Sequence, residues 1–305
     1  MILVFDVGGT MTKYGVYTTE DNQPVCAEQG EFPSLAIQSG EVMLNRLTLE
    51  IDRLSARYTI DGIAISSAGQ IDPFSGEVVF ATDNIPGYTG MNLIKRLNER
   101  YNIPVSIEND VNCFLIGECQ LRGLRGNVLA LTLGTGIGGA ILSDGVIMRG
   151  ASFSAGEIGH IQLVKNGLSC TCGFQGCYEQ YASTNALKLR VQASLNIDDL
   201  KLFFEKCKSQ EKEALSIFET WIEDVTDGLK TVTHILNPNT IVIGGAIAAQ
   251  GRYLETYIEK SLKRKVMPSY AAHLNVVVSD HGNTSNLLGA LEHFYIQNPR
   301  FLKEE

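Results

Sequence analysis

Two stretches of this chain, one at its start and one near its middle, share a plan: a buried strand, a turn rich in glycine, and a second strand. The first is Ile2 to Asp6 followed by Val7-Gly-Gly-Thr-Met-Thr-Lys13; the second is Val128 to Leu133 followed by Gly134-Thr-Gly-Ile-Gly-Gly-Ala140. A repeated opening of this kind restricts the chain to two halves of similar design. Strands alternate with helical patterns in each half, which makes the class α/β. The length of 305 residues agrees with two domains of about 150 residues each.

In the first half, alternating Thr12-Lys-Tyr-Gly-Val-Tyr17, the turn Asp21-Asn22-Gln-Pro24 and a strand to Phe32 complete a meander. Val42, Leu44, Leu47, Ile51 and Leu54 lie at helical spacing within Ser39 to Tyr58. A strand Ile60 to Ser66, a helix Asn92 to Tyr101, a strand Val105 to Ile107 and a helix Asn109 to Leu121 follow. Arg122-Gly-Leu-Arg-Gly126 marks a boundary. Beyond it, strands Val128 to Leu133, Ala140 to Leu142 and Val146 to Met148 repeat the meander. Thr184 to Leu236 is read as helical, Thr240 to Ile243 as a strand, Ala246 to Lys265 as a helix, Leu274 to Ser279 as a strand, and Asn286 to Tyr295 as a last helix.

Twenty-five basic against 34 acidic residues give a formal net charge of −9, which disfavours nucleic acid as a partner because phosphate-backbone attraction needs excess cation. With 44% hydrophobic and 19% charged residues, the chain has enough apolar surface to fold rather than stay disordered. The first apolar run lacks a basic lead and stops at Asp6, so it reads as a strand and not as a signal peptide. Longer apolar stretches, Leu129 to Leu142 and Ile241 to Ala249, are interrupted by glycine and shorter than the roughly 20 residues of a membrane span. No membrane association is expected. Cys26, Cys113, Cys119 and Cys207 are scattered, as buried thiols of a reducing compartment would be, and a cytoplasmic location is expected.

Five motifs could carry chemistry. Gly8 and Gly9 let the backbone turn tightly and present N–H groups to an anion, while Asp6 at the strand end can hold a metal or its waters; a plain hairpin turn is the other reading. Gly134, Gly136 and Gly139 make a formal G-x-G-x-x-G, but the residues after it read as strand, turn and strand, where a dinucleotide site needs a helix. An NAD-dependent oxidoreductase would rest on that pattern alone. A phosphate-binding hairpin matching the first explains both segments, and the pair implies a bound nucleotide with Mg²⁺. Glu108-Asn109-Asp110 stands where a strand meets a helix; Asp110 is either a helix cap or a carboxylate placed to take a proton from a hydroxyl. His160 with Cys170, Cys172 and Cys177, at spacings of ten, two and five, suits a closed structural Zn²⁺ site, with free thiols as the alternative. Glu157 and Glu179 flank that set, and would be tethered by the metal. Thr240-Ile-Val-Ile-Gly244-Gly245 brings a strand to a helix through two glycines that allow close approach of a ring or phosphate.

In order and spacing these segments resemble the ROK family of sugar kinases and sugar-responsive repressors over nearly the whole chain. The carriers are Asp6 to Lys13, Glu108 to Asp110, Leu133 to Gly139, Gly156-Glu-Ile-Gly-His160, Cys170 to Glu179 and Ile243 to Ala246. The resemblance implies an actin-like, ribonuclease-H-like ATPase fold whose two α/β lobes hold ATP and sugar in the cleft between them, often as a homodimer. The lobes are expected at 1–121 and 122–285, with a zinc loop at 160–177 in the second and the C-terminal helix, 286–305, rejoining the first.

The resemblance further implies a 6-phosphotransferase in which Asp110 takes the proton from the sugar hydroxyl on C6. Asp6 would position Mg·ATP; Gly8, Gly9, Thr10, Gly134, Thr135 and Gly136 would surround the phosphates; Gly244 and Gly245 would lie near the nucleoside. Asn109, Asp110, Glu157, His160 and Glu179 would bind sugar hydroxyls, with Gly69 and Asn84 as further candidates, and His160, Cys170, Cys172 and Cys177 match the zinc ligands. Family repressors carry an added DNA-reading module ahead of the first phosphate strand, for which a strand beginning at Ile2 leaves no room, so a kinase is expected. Ser67-Ala68-Gly69-Gln70 departs from the Gly/Pro-rich turn of many members. Ser66 to Asp72 and Asp83 to Tyr88 loosely resemble glucoside kinases more than the other members, which ranks glucose or a β-glucoside first and N-acetylmannosamine second. A sugar sensor without catalysis is the alternative from another class.

Overall fold

A computed structural model describes residues 1–21 and 23–301. Asn22 of the first turn and 302–305 of the expected C-terminal helical segment lie outside the described residues. The chain divides into two units, Met1–Gly123 with Arg149–Ala155 and Asn283–Glu305, and Leu124–Met148 with Gly156–Gly282.

The first unit contains β1 (Ile2–Val7), β2 (Met11–Glu20), β3 (Gln23–Pro33), α1 (Gly40–Ser55), β4 (Gly62–Ser67), β5 (Gln70–Asp72), β6 (Glu77–Phe80), α2 (Leu93–Tyr101), β7 (Val105–Asn109) and α3 (Asp110–Arg122). Its main sheet has the order β3-β2-β1-β4-β7. The hairpin strands run antiparallel, and β1, β4 and β7 run parallel. Because β1 is covered on both faces, it reads as an unbroken apolar run rather than an alternating one. Leu3, Phe5 and Val7 enter one core with Met43, Leu47 and Ile51 of α1. Ile2 and Val4 enter another on the opposite face, with Cys113 of α3 and Leu287, Leu291 and Phe294.

The second unit contains β8 (Val128–Leu133), β9 (Ile137–Ser143), β10 (Val146–Ile147), α4 (Glu179–Ala182), α5 (Thr184–Leu195), α6 (Leu200–Lys208), α7 (Lys212–Leu236), β11 (Thr240–Gly244), α8 (Arg252–Lys265), α9 (Pro268–Ala271) and β12 (Asn275–Val278). Its sheet order, β10-β9-β8-β11-β12, repeats that of the first. Leu129, Leu131 and Leu133 pack with Trp221, Val225 and Leu229 of α7 in a single core. The last helix, α10 (Thr284–Gln297), belongs to the first unit.

Several boundaries differ from the sequence reading for local reasons. The helical span Thr184 to Leu236 is three helices: α5 ends on left-handed Asn196, and left-handed Gln210 separates α6 from α7. Ala246 to Lys265 is a short 3₁₀ turn and then α8, divided at Gly251 with φ +52°. β9 begins at Ile137, three residues earlier than Ala140, because its glycines pair with β8. The short hairpin of β5 and β6 is an addition.

Candidate active site

Parallel strands of one sheet deliver their carboxyl ends side by side. Asp6 of β1 is in register with Ser66 of β4, which is in register with Glu108 of β7. The chemistry-bearing residues of the first unit stand at this edge. Ser66 Oγ donates to Asp6 Oδ1 at 2.7 Å. Burial raises the pKa of Asp6, opposed by the Ser66 bond and by the charge of Lys13.

The helix cap at α3 is Asn109, not Asp110. Asn109 Oδ1 accepts from Val111 N at 2.9 Å and Asn112 N at 3.1 Å, while its Nδ2 donates to Gly69 O and to Asp110 Oδ1, both at 3.0 Å. Asp110 is thereby the first residue of α3. Its Oδ1 also accepts from Val111 N at 3.0 Å. Burial first, and then the neighbouring charge of Asp6, pushes the Asp110 carboxyl up to about 7. A carboxylate with that pKa is poised to exchange a proton near neutrality.

Asn286 and Ser66 complete this group, and no motif in the chain marks either. Asn286, near the start of α10, donates from Nδ2 to Asp6 Oδ1 at 3.3 Å and to Asp110 O at 3.1 Å, so it bridges the two acids. Ser66 is buried within β4 and by its sequence is one more strand residue. Tyr88, fully buried, shares a 2.7 Å hydroxyl bond with Ser67. Gly69, with φ +104°, lies against Asn109, whereas Asn84 is exposed on the following loop and enters none of these contacts. In the hairpin after β1, Gly8 N donates to Met11 O at 3.2 Å and a Cβ on Gly9 would meet open space, so the backbone there is free to approach a ligand.

The second unit carries the other glycine hairpin. Gly134 N donates to Gly136 O at 3.0 Å, and Asn185 N donates to Gly134 O at 3.2 Å. Gly244 pairs with Thr132, and Gly245, at φ +87°, presses against the Leu133 backbone, so the two glycine pairs are adjacent. Gly139 lies within β9 and touches the backbone of Gly156. No helix opens on the third glycine of the G-x-G-x-x-G pattern, which removes the dinucleotide reading.

Gly156 leads into Glu157 and His160. His160 Nδ1 or Nε2 and the sulfurs of Cys170, Cys172 and Cys177 all lie within 4.8 Å of one another. Cys172 and Cys177 sulfurs are 3.5 Å apart, far beyond a disulfide bond, and Cys170 Sγ is 3.6 Å from His160 Nδ1. Zinc bonds of about 2.3 Å to sulfur and about 2.0 Å to nitrogen place tetrahedral donors about 3.5–3.8 Å apart, so the set fits this ion. Burial, followed by the adjoining thiols, pushes the Cys177 thiol up to about 12. Glu179 is drawn into the same cluster: its Oε1 accepts from Cys170 Sγ at 3.1 Å and lies 3.9 Å from His160 Nδ1, while its Oε2 accepts from Ile137 N at 3.4 Å. Glu157 Oε2 is 4.0 Å from His160 Nε2. Glu179 is therefore held between the cysteine loop and the glycine hairpin.

The chain is similar to known proteins over nearly its whole length. The profile of the ROK family matches residues 2–295. A beta-glucoside kinase of Klebsiella pneumoniae is 30% identical over 304 residues, covering 96% of this chain and 95% of its own. A glucokinase of Thermotoga maritima is 29% identical over 302 residues, covering 93% and 94%. Among solved structures, a ROK family glucokinase from Streptomyces griseus in complex with glucose and AMPPNP superposes with a TM-score of 0.79 at 26% identity, covering 95% and 98%. The fold is thus the actin-like, ribonuclease-H-like one that the strand orders indicate. No helix among the described residues is long and apolar enough to cross a membrane.

Proposed function

The chain belongs to the ROK family, and on that premise we propose that it transfers the γ-phosphoryl group of Mg·ATP to the 6-hydroxyl of a hexose or hexose-containing glycoside, with glucose or a β-glucoside as the preferred acceptor. The observation that carries this reading is Asp110, whose carboxyl is raised to about 7 beside a second acid held by Ser66 and Asn286. Asn109 Nδ2 and Val111 N both donate to its Oδ1. Oδ2 is left for the incoming hydroxyl, takes its proton as the new O–P bond forms, and ADP leaves with the electrons of the broken P–O bond.

Asp6 positions Mg·ATP, whose cation neutralises charge on the transferring phosphoryl group. Gly8, Gly9 and Thr10, with Gly134, Thr135 and Gly136, offer backbone N–H groups to the phosphates, and Gly244 and Gly245 give the nucleoside a surface without side chains. Gly69, Asn84, Asn109, Glu157, His160 and Glu179 bind sugar hydroxyls. Zn²⁺ bound by His160, Cys170, Cys172 and Cys177 would supply structural rigidity, holding His160 and Glu179 in their sugar-binding orientation.

A coupled ADP-release assay with Mg·ATP tests the proposal against glucose, cellobiose, other β-glucosides, mannose, fructose, N-acetylglucosamine and N-acetylmannosamine. Turnover with glucose or a β-glucoside is expected. Turnover confined to N-acetylmannosamine would overturn the ranking, and zinc-loaded protein that binds ATP but turns over no sugar would favour a sensor.

A further inference from the structure

Glu108 lies one residue before the cap of α3 and two before Asp110, yet it touches no part of the group assigned to ATP or sugar except through the backbone of Asn109. Its side chain is 1% exposed. Oε1 accepts from Asn109 N at 2.9 Å and Asn112 Nδ2 at 3.0 Å. Oε2 accepts from both Nε and Nη2 of Arg149, at 2.8 and 2.6 Å. This is a two-pronged, nearly dry ion pair, the geometry in which an arginine cannot be exchanged for another cation without loss.

Arg149 comes from Arg149–Ala155, a short excursion of the chain into the first unit between two stretches of the second. The ring of Phe74 lies 5.8 Å from its guanidinium carbon. His293 of α10 also faces Glu108, with Nδ1 4.0 Å from Oε2, but burial lowers its pKa and keeps the imidazole neutral. Arg149 is therefore the cation that balances the buried Glu108 carboxylate.

We infer that Arg149 is a positioning residue for the general base, acting through Glu108; the inference rests on the kinase reading above. With Arg149 paired to Oε2, Glu108 is held in place and its Oε1 holds the peptide N–H that enters Asn109. Asn109 then caps α3 with Oδ1 and holds Asp110 Oδ1 with Nδ2. Orientation passes from Arg149 to the base through bonded groups, without contact between Arg149 and substrate. Removing Arg149 leaves the buried Glu108 carboxyl without its partner on Oε2, free to turn away, and that loosens its hold on Asn109. A misplacement of about 1 Å at a reacting group costs on the order of a hundredfold in rate.

The test is steady-state kinetics of wild type, Arg149→Met, Arg149→Lys and the double variant Glu108→Gln/Arg149→Met on the sugar that wild type turns over, with thermal melting of each. Arg149→Met is expected to lower kcat by about 10- to 100-fold while the KM values for sugar and ATP move less than about threefold. Arg149→Lys, a point charge without the fork, should fall between it and wild type. The double variant removes the unbalanced charge and keeps an oxygen for Asn109 N, so it should recover at least about fivefold in kcat over Arg149→Met. A kcat for Arg149→Met within about twofold of wild type, a kcat loss matching the loss of folded protein, or a double variant no better than the single would each overturn the inference. Because wild-type turnover is measured in the same assay, its absence sinks the kinase reading and the inference together, whereas normal wild-type turnover with an unimpaired Arg149→Met sinks the inference alone.

Discussion

At the scale of single residues, Asp110 can be tested in two independent ways. Asp110→Asn keeps an oxygen for Val111 N and Asn109 Nδ2 but cannot accept a proton, so kcat should fall by about 10²- to 10⁴-fold with sugar binding retained, as measured by titration calorimetry. Wild-type kcat/KM should decline about tenfold per pH unit below about 7, because the base must be ionised to act. The same shift has a cost in stability. The folded-state pKa of Asp110 lies above that of the unfolded chain, so its contribution is fully present below about pH 4 and is lost as pH rises through about 7. Asp110→Asn does not titrate; it should melt above wild type at pH 8, and the gap should close at pH 4. Equal melting differences at both pH values would show that Asp110 is not held at a raised pKa. Asp6, Asn109 and Asp110 were legible in the sequence because each abuts a strand end. Asn286 was not: nothing near it in the chain announces a bond to Asp6, 280 positions away.

At the scale of elements, two glycines decide how α3 meets α10. A Cβ on Gly117 would strike the Ser285 carbonyl, and one on Gly289 the Cys113 carbonyl. The helices cross at backbone contact, which brings the α3 start carrying Asp110 to the α10 start carrying Asn286. Gly117→Ala should destabilise by about 1–3 kcal/mol in urea unfolding and lower kcat as the two starts separate; unchanged melting and turnover would show that the crossing adjusts freely. In the cysteine loop, Cys172→Ser should abolish binding of about one zinc per chain and raise sugar KM more than ATP KM, since the cluster holds His160 and Glu179. A wild-type protein that is stable and metal-free by elemental analysis would defeat that prediction. Glycine hairpins and the cysteine loop were readable because their residues are close in sequence. The division of 184–236 into three helices was not, because left-handed Asn196 and Gln210 interrupt the backbone without interrupting the apolar spacing.

At the scale of the whole molecule, the chain repeats one sheet order in two units, each with its own core. The family resemblance leads us to propose a homodimer. Light scattering that gives a mass near 33.3 kDa would overturn it, and twice that mass is expected. By itself, the sequence determined the α/β class, the two glycine hairpins, the grouping of His160 with the three cysteines and the acid at the start of α3. All of these rest on residues that are neighbours along the chain, where spacing alone sets geometry. Only the tertiary structure decided that Asn109 and not Asp110 caps the helix, that Asn286 links the two acids, and that Arg149 balances Glu108. Those depend on burial and on contacts between distant segments, and it is burial beside a second carboxylate, not the identity of an aspartate, that moves a carboxyl pKa toward neutrality.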